Sequence, residues 1–331
     1  MRPQKVAGEG GVLKPAFSNG KVAAISPNGR PALSRLSHWG SIVKDHMRLL
    51  RPHQWVKNGF VLIPAFFGGK IGVLFAGYKP ALAFLSFCAV ASSVYILNDI
   101  FDLEKDRVHE RKRTRPLASG AVSIRTAIIM LALLAALSAT LALIVGAMFS
   151  YIIAGYFVLN LLYSLYFKHI SLIDISFIAI GFVLRVLAGG VATDVVISKW
   201  LILMTFLLAC CLAVGKRRDD LLMDIDKETL RPANSGYTLQ FIDTCLVILG
   251  SVTIVCYVMY TVSEEVVHRL RSDNVYLTSV FVVIGILRFL QIAIVEQRSG
   301  APTMILLKDT LIQAMIGMWF IAFLVILYLS K

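Results

Sequence analysis

Charged residues are scarce in this sequence. Asp, Glu, Lys and Arg make up 16% of its 331 residues, whereas 57% are hydrophobic. Soluble globular chains carry about 25% charged residues, and a chain with a mean hydropathy of +0.75 has too little charge to cover a water-facing surface. Apolar runs of about 20 residues, the length that spans a bilayer core, recur along the chain. These features exclude a soluble domain and predict an all-α polytopic membrane protein.

Cysteine and histidine are also few, with five and six residues. No histidine stands in a context that suggests a general base, since His109 lies among basic residues. The cysteines lie inside apolar runs without the spacing of metal ligands, and we interpret them as small core residues. They are Cys88, Cys210, Cys211, Cys245 and Cys256. The apolar runs are continuous rather than alternating, which excludes a membrane β-barrel.

The first 45 residues contain no apolar stretch. They are basic and include Gly, Pro and Ser, so the pattern of a cleavable signal peptide is missing. We expect a disordered cytoplasmic tail over residues 1–45 and one transmembrane domain over residues 46–331.

Nine membrane spans are predicted from the apolar runs and their polar breaks. They lie near residues 58–77, 80–100, 124–145, 148–167, 171–191, 199–215, 239–261, 275–292 and 304–330. With the tail in the cytoplasm, 24 of the 33 Lys and Arg residues fall on that face and six on the other. Because cytoplasmic loops are rich in Lys and Arg, we expect a plasma-membrane protein with its C-terminus outside. Topology and anionic lipid then account for the net charge of +13 without nucleic acid.

The most highly charged segment, NDIFDLEKDRVHERKRTRPLASG, runs from Asn98 to Gly120. Asn98, Asp102 and Asp106 are spaced i, i+4, i+8, so on a continuing helix they face one side, with Asp99 adjacent. A solvated loop that obeys the topology rule accounts for the bases, but not for acids at the end of a membrane helix. Oxygen ligands suit Mg²⁺, and bases suit phosphate oxygens. The segment therefore predicts a diphosphate site.

A second segment, between the sixth and seventh spans, resembles the first. Each ends in R-P-x-x-S-G after an acidic cluster, as RTRPLASG (Arg113–Gly120) and TLRPANSG (Thr229–Gly236). Strings this short also match by chance. We interpret the match as a weak internal repeat, which places two acidic walls around one cavity.

The motif N-D-x-x-D-x-x-x-D resembles the first aspartate-rich motif of the UbiA superfamily of intramembrane prenyltransferases. The resemblance covers residues 45–331, and Asp220 and Asp224 match a second motif, D-x-x-x-D, with Asp219 as an alternative register. It implies a central cavity that opens toward the cytoplasm and laterally toward lipid, and Mg²⁺ as cofactor. The predicted catalytic residues are Asn98, Asp102, Asp106 and Asp220. The predicted metal ligands are Asn98, Asp99, Asp102, Asp106, Asp220 and Asp224.

Further strings are similar to the branch of this family that makes polyprenyl-phosphate phosphoribose. They are RPHQWVKN (Arg51–Asn58), HERKRTRPLASG (His109–Gly120), GKRRDDL (Gly215–Leu221) and LIDISFIAIGFVLRVLAGG (Leu172–Gly190). Members of that branch use phosphoribosyl diphosphate (PRPP) as donor. Its reaction with a polyprenyl phosphate brings three anionic groups together, which calls for more bases than one prenyl diphosphate does. The predicted substrate-binding residues are Arg51, Lys57, Lys112, Arg115, Arg185, Lys216, Arg217 and Arg218.

Several of these residues have two readings. The RPHQWVKN string also fits an interfacial anchor, with Trp55 in the aromatic belt. Ions within or near the spans either form structural pairs or contact substrate. These ions within or near the spans are Asp174, Arg185, Arg288, Lys308 and Asp309.

The sequence thus predicts a Mg²⁺-dependent pentosyltransferase that moves 5-phosphoribose from PRPP to a polyprenyl phosphate, for cell-envelope glycan precursors of the arabinose type. Two alternatives stay open at this point. The first is transfer of a prenyl group from a prenyl diphosphate to an aromatic acceptor. The second is transport of a phosphorylated lipid, although a transporter favours charges near the bilayer midplane. The polyprenyl length and the formation of a homo-oligomer are left undetermined.

Overall fold

The computed structural model of the chain describes residues 43–110, 112–223, 236–297, 305 and 308–329. The described residues from Lys44 onward belong to one compact unit. Residues 1–42 of the predicted tail lie outside the described residues, as do Asp224 and most of the second R-P-x-x-S-G segment.

Eight helices of the described chain are long and apolar enough to cross a membrane. They are α1 (Tyr78–Phe101), α2 (Ile124–Val145), α3 (Ala147–Leu165), α4 (Ile173–Thr193), α5 (Lys199–Met223), α6 (Leu239–Val262), α7 (Asp273–Val295) and α8 (Thr310–Leu329). α7 combines a 3₁₀ turn, an α-helix over Ser279–Leu290 and a π-helical turn over Gln291–Val295. Short helices cover Leu103–Val108 and Glu264–Leu270. No strand occurs within the described ranges, and the predicted all-α membrane class is confirmed.

The first of the nine predicted spans is not one long helix. Residues 52–76 form a 3₁₀ helix, Pro52–Val61, and two short α-helices, Ile63–Phe67 and Ile71–Ala76. Prolines and glycines interrupt the helical hydrogen bonds in this stretch. The other eight predicted spans each correspond to one long helix, while the count of nine is not confirmed.

The broken segment packs inside the bundle, against α1 and α4. Gly189 of α4 makes this possible, because a Cβ at that position would lie 2.0 Å from the carbonyl oxygen of Val61. Only glycine permits so close an approach of backbone to backbone. α4 also contacts α3 and α5, so it lies between the helices that precede it and those that follow it in the chain.

Two helix pairs, α1–α2 and α5–α6, flank the two charged segments and pack extensively together. In the first pair the hydroxyls of Ser86 and Ser138 each donate to the other residue's carbonyl oxygen, at 3.0 and 2.9 Å. Such small polar residues hold membrane helices together at close range. The second helix of each pair begins at a capping hydroxyl, Ser123 for α2 and Thr238 for α6, each accepting from a backbone N–H three residues on. Shortly before each cap comes the R-P-x-x-S-G string, as expected for a repeat.

Candidate active site

The acidic stripe lies at the end of α1. Although α1 ends at Phe101, backbone hydrogen bonds from Asp102 to Asn98 and from Asp106 to Asp102, at 2.9 and 2.8 Å, carry helical geometry into Leu103–Val108. The spacing predicts that Asn98, Asp102 and Asp106 face one side, whereas Asp106 shares Arg115 with Asp99 and not the partners of Asn98 and Asp102. The residues of the stripe thus divide into two pairs with different partners.

Asp99 and Asp106 form the buried pair. Asp99 accepts hydrogen bonds from Arg51 Nη2 at 2.5 Å and from Arg115 Nη1 at 3.1 Å. Arg115 Nη1 also donates to Asp106 Oδ2 at 2.5 Å. The two acidic residues are only 3% and 2% exposed, so removing a partner would leave an uncompensated charge inside the protein. Both carboxylates thus hold the loop at Arg115, and Asp99 also holds the entry segment at Arg51.

Asn98 and Asp102 form the accessible pair. Lys168 Nζ donates to Asp102 Oδ1 at 2.7 Å, and Ser164 Oγ donates to Asn98 Oδ1. Ser164 lies in the last turn of α3, and Lys168 lies in the 3₁₀ turn Phe167–His169 that follows it. The Asp102 side chain is 31% exposed, which leaves its carboxylate reachable by a ligand.

The RPHQWVKN segment is fastened along α1. The indole nitrogen of Trp55 donates to Ser92 Oγ at 3.0 Å, and Ser92 in turn donates to the carbonyl oxygen of Leu50. Asn58 Nδ2 donates to Cys88 Sγ at 3.3 Å. Because the polar end of Trp55 bonds to another helix, the segment is built into the bundle and is not only an interfacial anchor.

Lys57 lies among other basic residues. The charged groups that act on it are all cations, namely Lys216, Arg185 and Arg51. Burial, followed by the repulsion of these neighbours, lowers the pKa of Lys57 from 10.5 to about 8. A group of bases that destabilise one another's charge is expected where an anion binds. Lys57 and the three bases that act on its charge are all among the residues that the sequence predicts to bind substrate.

Arg185 is held within the protein. It is 5% exposed, and its nitrogens donate to the side-chain oxygen of Asn58 at 2.9 Å, to Gly181 O at 2.8 Å and to Tyr156 OH at 2.8 Å. The guanidinium also lies over the rings of Tyr156 and Phe87. All of these partners are neutral, so the positive charge of Arg185 still contributes to the basic region. Its hydrogen bonds, by contrast, are made to other residues of the protein interior.

The second acidic region lies at the end of α5. Arg217 donates from Nε and Nη2 to Asp174 Oδ2, at 2.8 and 2.7 Å, and from Nη1 to Asp220 Oδ2 at 3.0 Å. Asp174 is fully buried, whereas the Asp220 side chain is 32% exposed. Asp220 therefore resembles Asp102, because each is a half-exposed carboxylate with one basic partner.

Arg218 faces the other way. Its Nε donates to Asp243 Oδ1 at 2.6 Å, between α5 and α6, and the residue is 4% exposed. Consecutive residues on a helix are rotated by about 100°, so Arg217 and Arg218 serve different neighbours. The position of Arg218 favours a structural pair over the substrate contact predicted for it.

Lys112, another residue predicted to bind substrate, lies in a short 3₁₀ turn just before Arg115.

A hard divalent cation fits the accessible donors. Asp102, Asp220 and Asn98 offer oxygen atoms only, the set that Mg²⁺ prefers. Within the described ranges no three His, Cys, Asp or Glu side chains form a ready metal cluster. Instead, Lys168 pairs with Asp102 and Arg217 pairs with Asp220, so one base lies beside each carboxylate.

Sequence reasoning missed the partners of the acids. Ser164 and Lys168 lie at the end of an apolar helix and in the turn after it, and the only available signal was a polar residue and a base at the end of a predicted span. Tyr237, whose hydroxyl donates to Asp174 Oδ1 at 3.3 Å, had no local signal, because its role depends on contact with a distant helix. Arg288 and Asp309, predicted as ions of uncertain role, pair with each other at 2.8 Å.

Comparison with known proteins places this chain in a family. The model of the UbiA prenyltransferase family matches residues 61–230. A decaprenyl-phosphate phosphoribosyltransferase of Mycolicibacterium smegmatis is 31% identical over 243 residues, which cover 71% of this chain and 76% of the relative. The protein of the same name from Corynebacterium glutamicum is 29% identical, covering 74% and 75%. The similarity to this branch, predicted from the sequence, is confirmed.

The fold agrees with the same family. The structure of a UbiA homolog from Archaeoglobus fulgidus bound to GPP and Mg²⁺ superimposes with a TM-score of 0.63 and 20% identity. It covers 86% of this chain and 99% of its own. With the matching family model, the relatives and the helical architecture, this multi-pass membrane transferase belongs to the UbiA prenyltransferase family.

Proposed function

We propose that this protein transfers 5-phosphoribose from PRPP to a polyprenyl phosphate and releases diphosphate, with Mg²⁺ as cofactor. The observation that carries the proposal is the group of bases around Lys57, in a chain that also holds two partly exposed carboxylates, Asp102 and Asp220. The relatives named decaprenyl-phosphate phosphoribosyltransferase support the same assignment.

The half-exposed residues are assigned to the metal. Asn98, Asp102 and Asp220 would hold Mg²⁺, while the buried Asp99 and Asp106 keep their structural arginines. When bound, the metal supplies neutralisation of the negative charge on the departing diphosphate. Of the six predicted ligands, this assignment gives the direct role to the three whose oxygens are accessible in the described chain.

The bases are assigned to the phosphates. Lys57 and Lys216 bind phosphate oxygens of the substrates, and Arg185 adds positive potential beneath them. Arg51 and Arg115 hold Asp99 in place and retain exposed fractions of 23% and 31% for a substrate contact. Because a phosphate is already ionised at neutral pH, the acceptor needs no general base.

Product identity tests this function. Purified protein in lipid nanodiscs with Mg²⁺ is given labelled PRPP and polyprenyl phosphate, or, in a parallel reaction, prenyl diphosphate and aromatic acids. We expect labelled lipid only from the first pair, and none after chelation of the metal. Prenylated aromatic product, or no product from either pair, would contradict the proposal.

Asp102→Asn and Asp243→Asn form a matched pair of variants for the same assay. Their side chains are 31% and 30% exposed, and each pairs with a single base. Asp243→Asn leaves the buried Arg218 unpaired and should lower stability, so product formation is compared per folded molecule. Only Asp102 is assigned to the metal, and we expect that quantity to be lost in Asp102→Asn and retained in Asp243→Asn. Equal loss in both would indicate a general effect of removing a half-exposed acid.

A further inference from the structure

Arg217 is shared unequally between two carboxylates. Two of its nitrogens lie within 2.8 Å of Asp174 Oδ2, and a third lies 3.0 Å from Asp220 Oδ2. Arg217 and Asp174 are 2% and 0% exposed, whereas Asp220 is 32% exposed. The charge of the buried arginine is therefore directed mainly to the buried acid, and Asp220 is only partly compensated.

The other oxygen of Asp174 is also held. The hydroxyl of Tyr237 donates to Asp174 Oδ1 at 3.3 Å and accepts from the backbone N–H of Leu172 at 2.5 Å. Leu172 has a φ of +66° at the start of α4, a strained conformation for a residue with a Cβ. Gly236 passes so close to Ser171 that a Cβ would lie 2.5 Å from its hydroxyl. Residues from α4, α5 and the segment before α6 thus converge on one buried carboxylate.

We propose that Asp174, oriented by Tyr237, is a positioning residue that limits how far Arg217 neutralises Asp220 and thereby sets the metal affinity of the site. This inference rests on the proposed function, because that function assigns Asp220 to the metal. An arginine with no other acidic partner would compete fully with a cation for Asp220. Groups that orient a metal ligand typically change metal affinity by about 10- to 100-fold when they are removed.

Metal binding without substrate tests the inference. Mn²⁺ is titrated into the full-length protein in nanodiscs, and free Mn²⁺ is followed by electron paramagnetic resonance. Asp174→Asn should weaken Mn²⁺ binding about tenfold or more, and Tyr237→Phe should weaken it by a smaller factor. The smaller change in Tyr237→Phe serves as the readout if Asp174→Asn does not fold.

Two control variants share the chemistry but not the contact with Asp220. Asp243→Asn removes the acid from the neighbouring Arg218. Tyr257→Phe removes a buried hydroxyl that bonds to Thr278 and Trp319, at 2.6 Å each, elsewhere in the bundle. We expect the folded fraction of both variants to bind Mn²⁺ like the wild type, with Asp243→Asn less stable because Arg218 is buried.

The outcomes separate the inference from the function beneath it. Unchanged Mn²⁺ affinity in Asp174→Asn and Tyr237→Phe, with normal binding by the wild type, overturns the inference alone. Equal weakening in the controls also overturns it, since the effect would then be general. If the wild type binds no Mn²⁺, the metal assignment of the proposed function fails together with the inference.

Discussion

Replacement by asparagine should lower the stability of the protein much more at Asp99 than at Asp102, although both residues belong to one motif. Asp99 accepts two charge-assisted hydrogen bonds from arginines and is 3% exposed. Removing one partner from such a buried group costs about 3–5 kcal/mol. Asp102 has one lysine partner and a side chain 31% exposed, and half-exposed pairs of this kind contribute about 1 kcal/mol or less. Asp99→Asn should therefore lower the free energy of unfolding by about 3 kcal/mol, and Asp102→Asn by less than about 1 kcal/mol.

Denaturation in mixed micelles, followed by tryptophan fluorescence, measures the stability of both variants. Mn²⁺ titration and product formation are measured on the same preparations. Asp102→Asn should fold normally while losing metal binding and turnover, and Asp99→Asn should lose stability first. Equal stability losses, or a stable Asp99→Asn protein that fails only in metal binding, would refute the division of the stripe into structural and accessible acids.

Three further predictions follow from the geometry. Since the pKa of Lys57 is about 8, its charge is lost as pH rises from 7 to 9. KM for PRPP should therefore rise over that range in the wild type and much less in Lys57→Arg. Parallel pH curves for the two proteins would contradict a phosphate contact of Lys57. Gly189→Ala should destabilise the protein by about 2 kcal/mol in the same denaturation assay, because its Cβ meets a carbonyl oxygen at 2.0 Å, whereas Gly155→Ala has no atom within 4 Å and should be neutral. Under the proposed topology, Arg271→Cys should react with an impermeant thiol reagent in intact cells and Arg113→Cys only after permeabilisation; the reverse pattern would invert the orientation.

Local pattern was sufficient for eight of the nine predicted spans and for the location of the acidic residues. Composition and apolar run length predicted the membrane class, because the bilayer sets the length of every span. The prediction of one long helix for the first span was wrong because prolines and glycines interrupt backbone hydrogen bonds, an effect that a hydropathy pattern does not register. The i, i+4, i+8 spacing of Asn98, Asp102 and Asp106 predicts one direction for a continuing helix, but α1 ends at Phe101 and Asp106 shares Arg115 with Asp99.

The sequence by itself determined the class of protein and its family, and it supplied the charged residues that the proposed function uses. Only the tertiary structure decided which of those charges are available. Asp99 and Asp102 are alike in sequence, as are Arg217 and Arg218, yet within each pair the two side chains contact different neighbours. The physical reason is that exposure and ion pairing depend on which helices pack against each side chain, and those helices are distant in the chain.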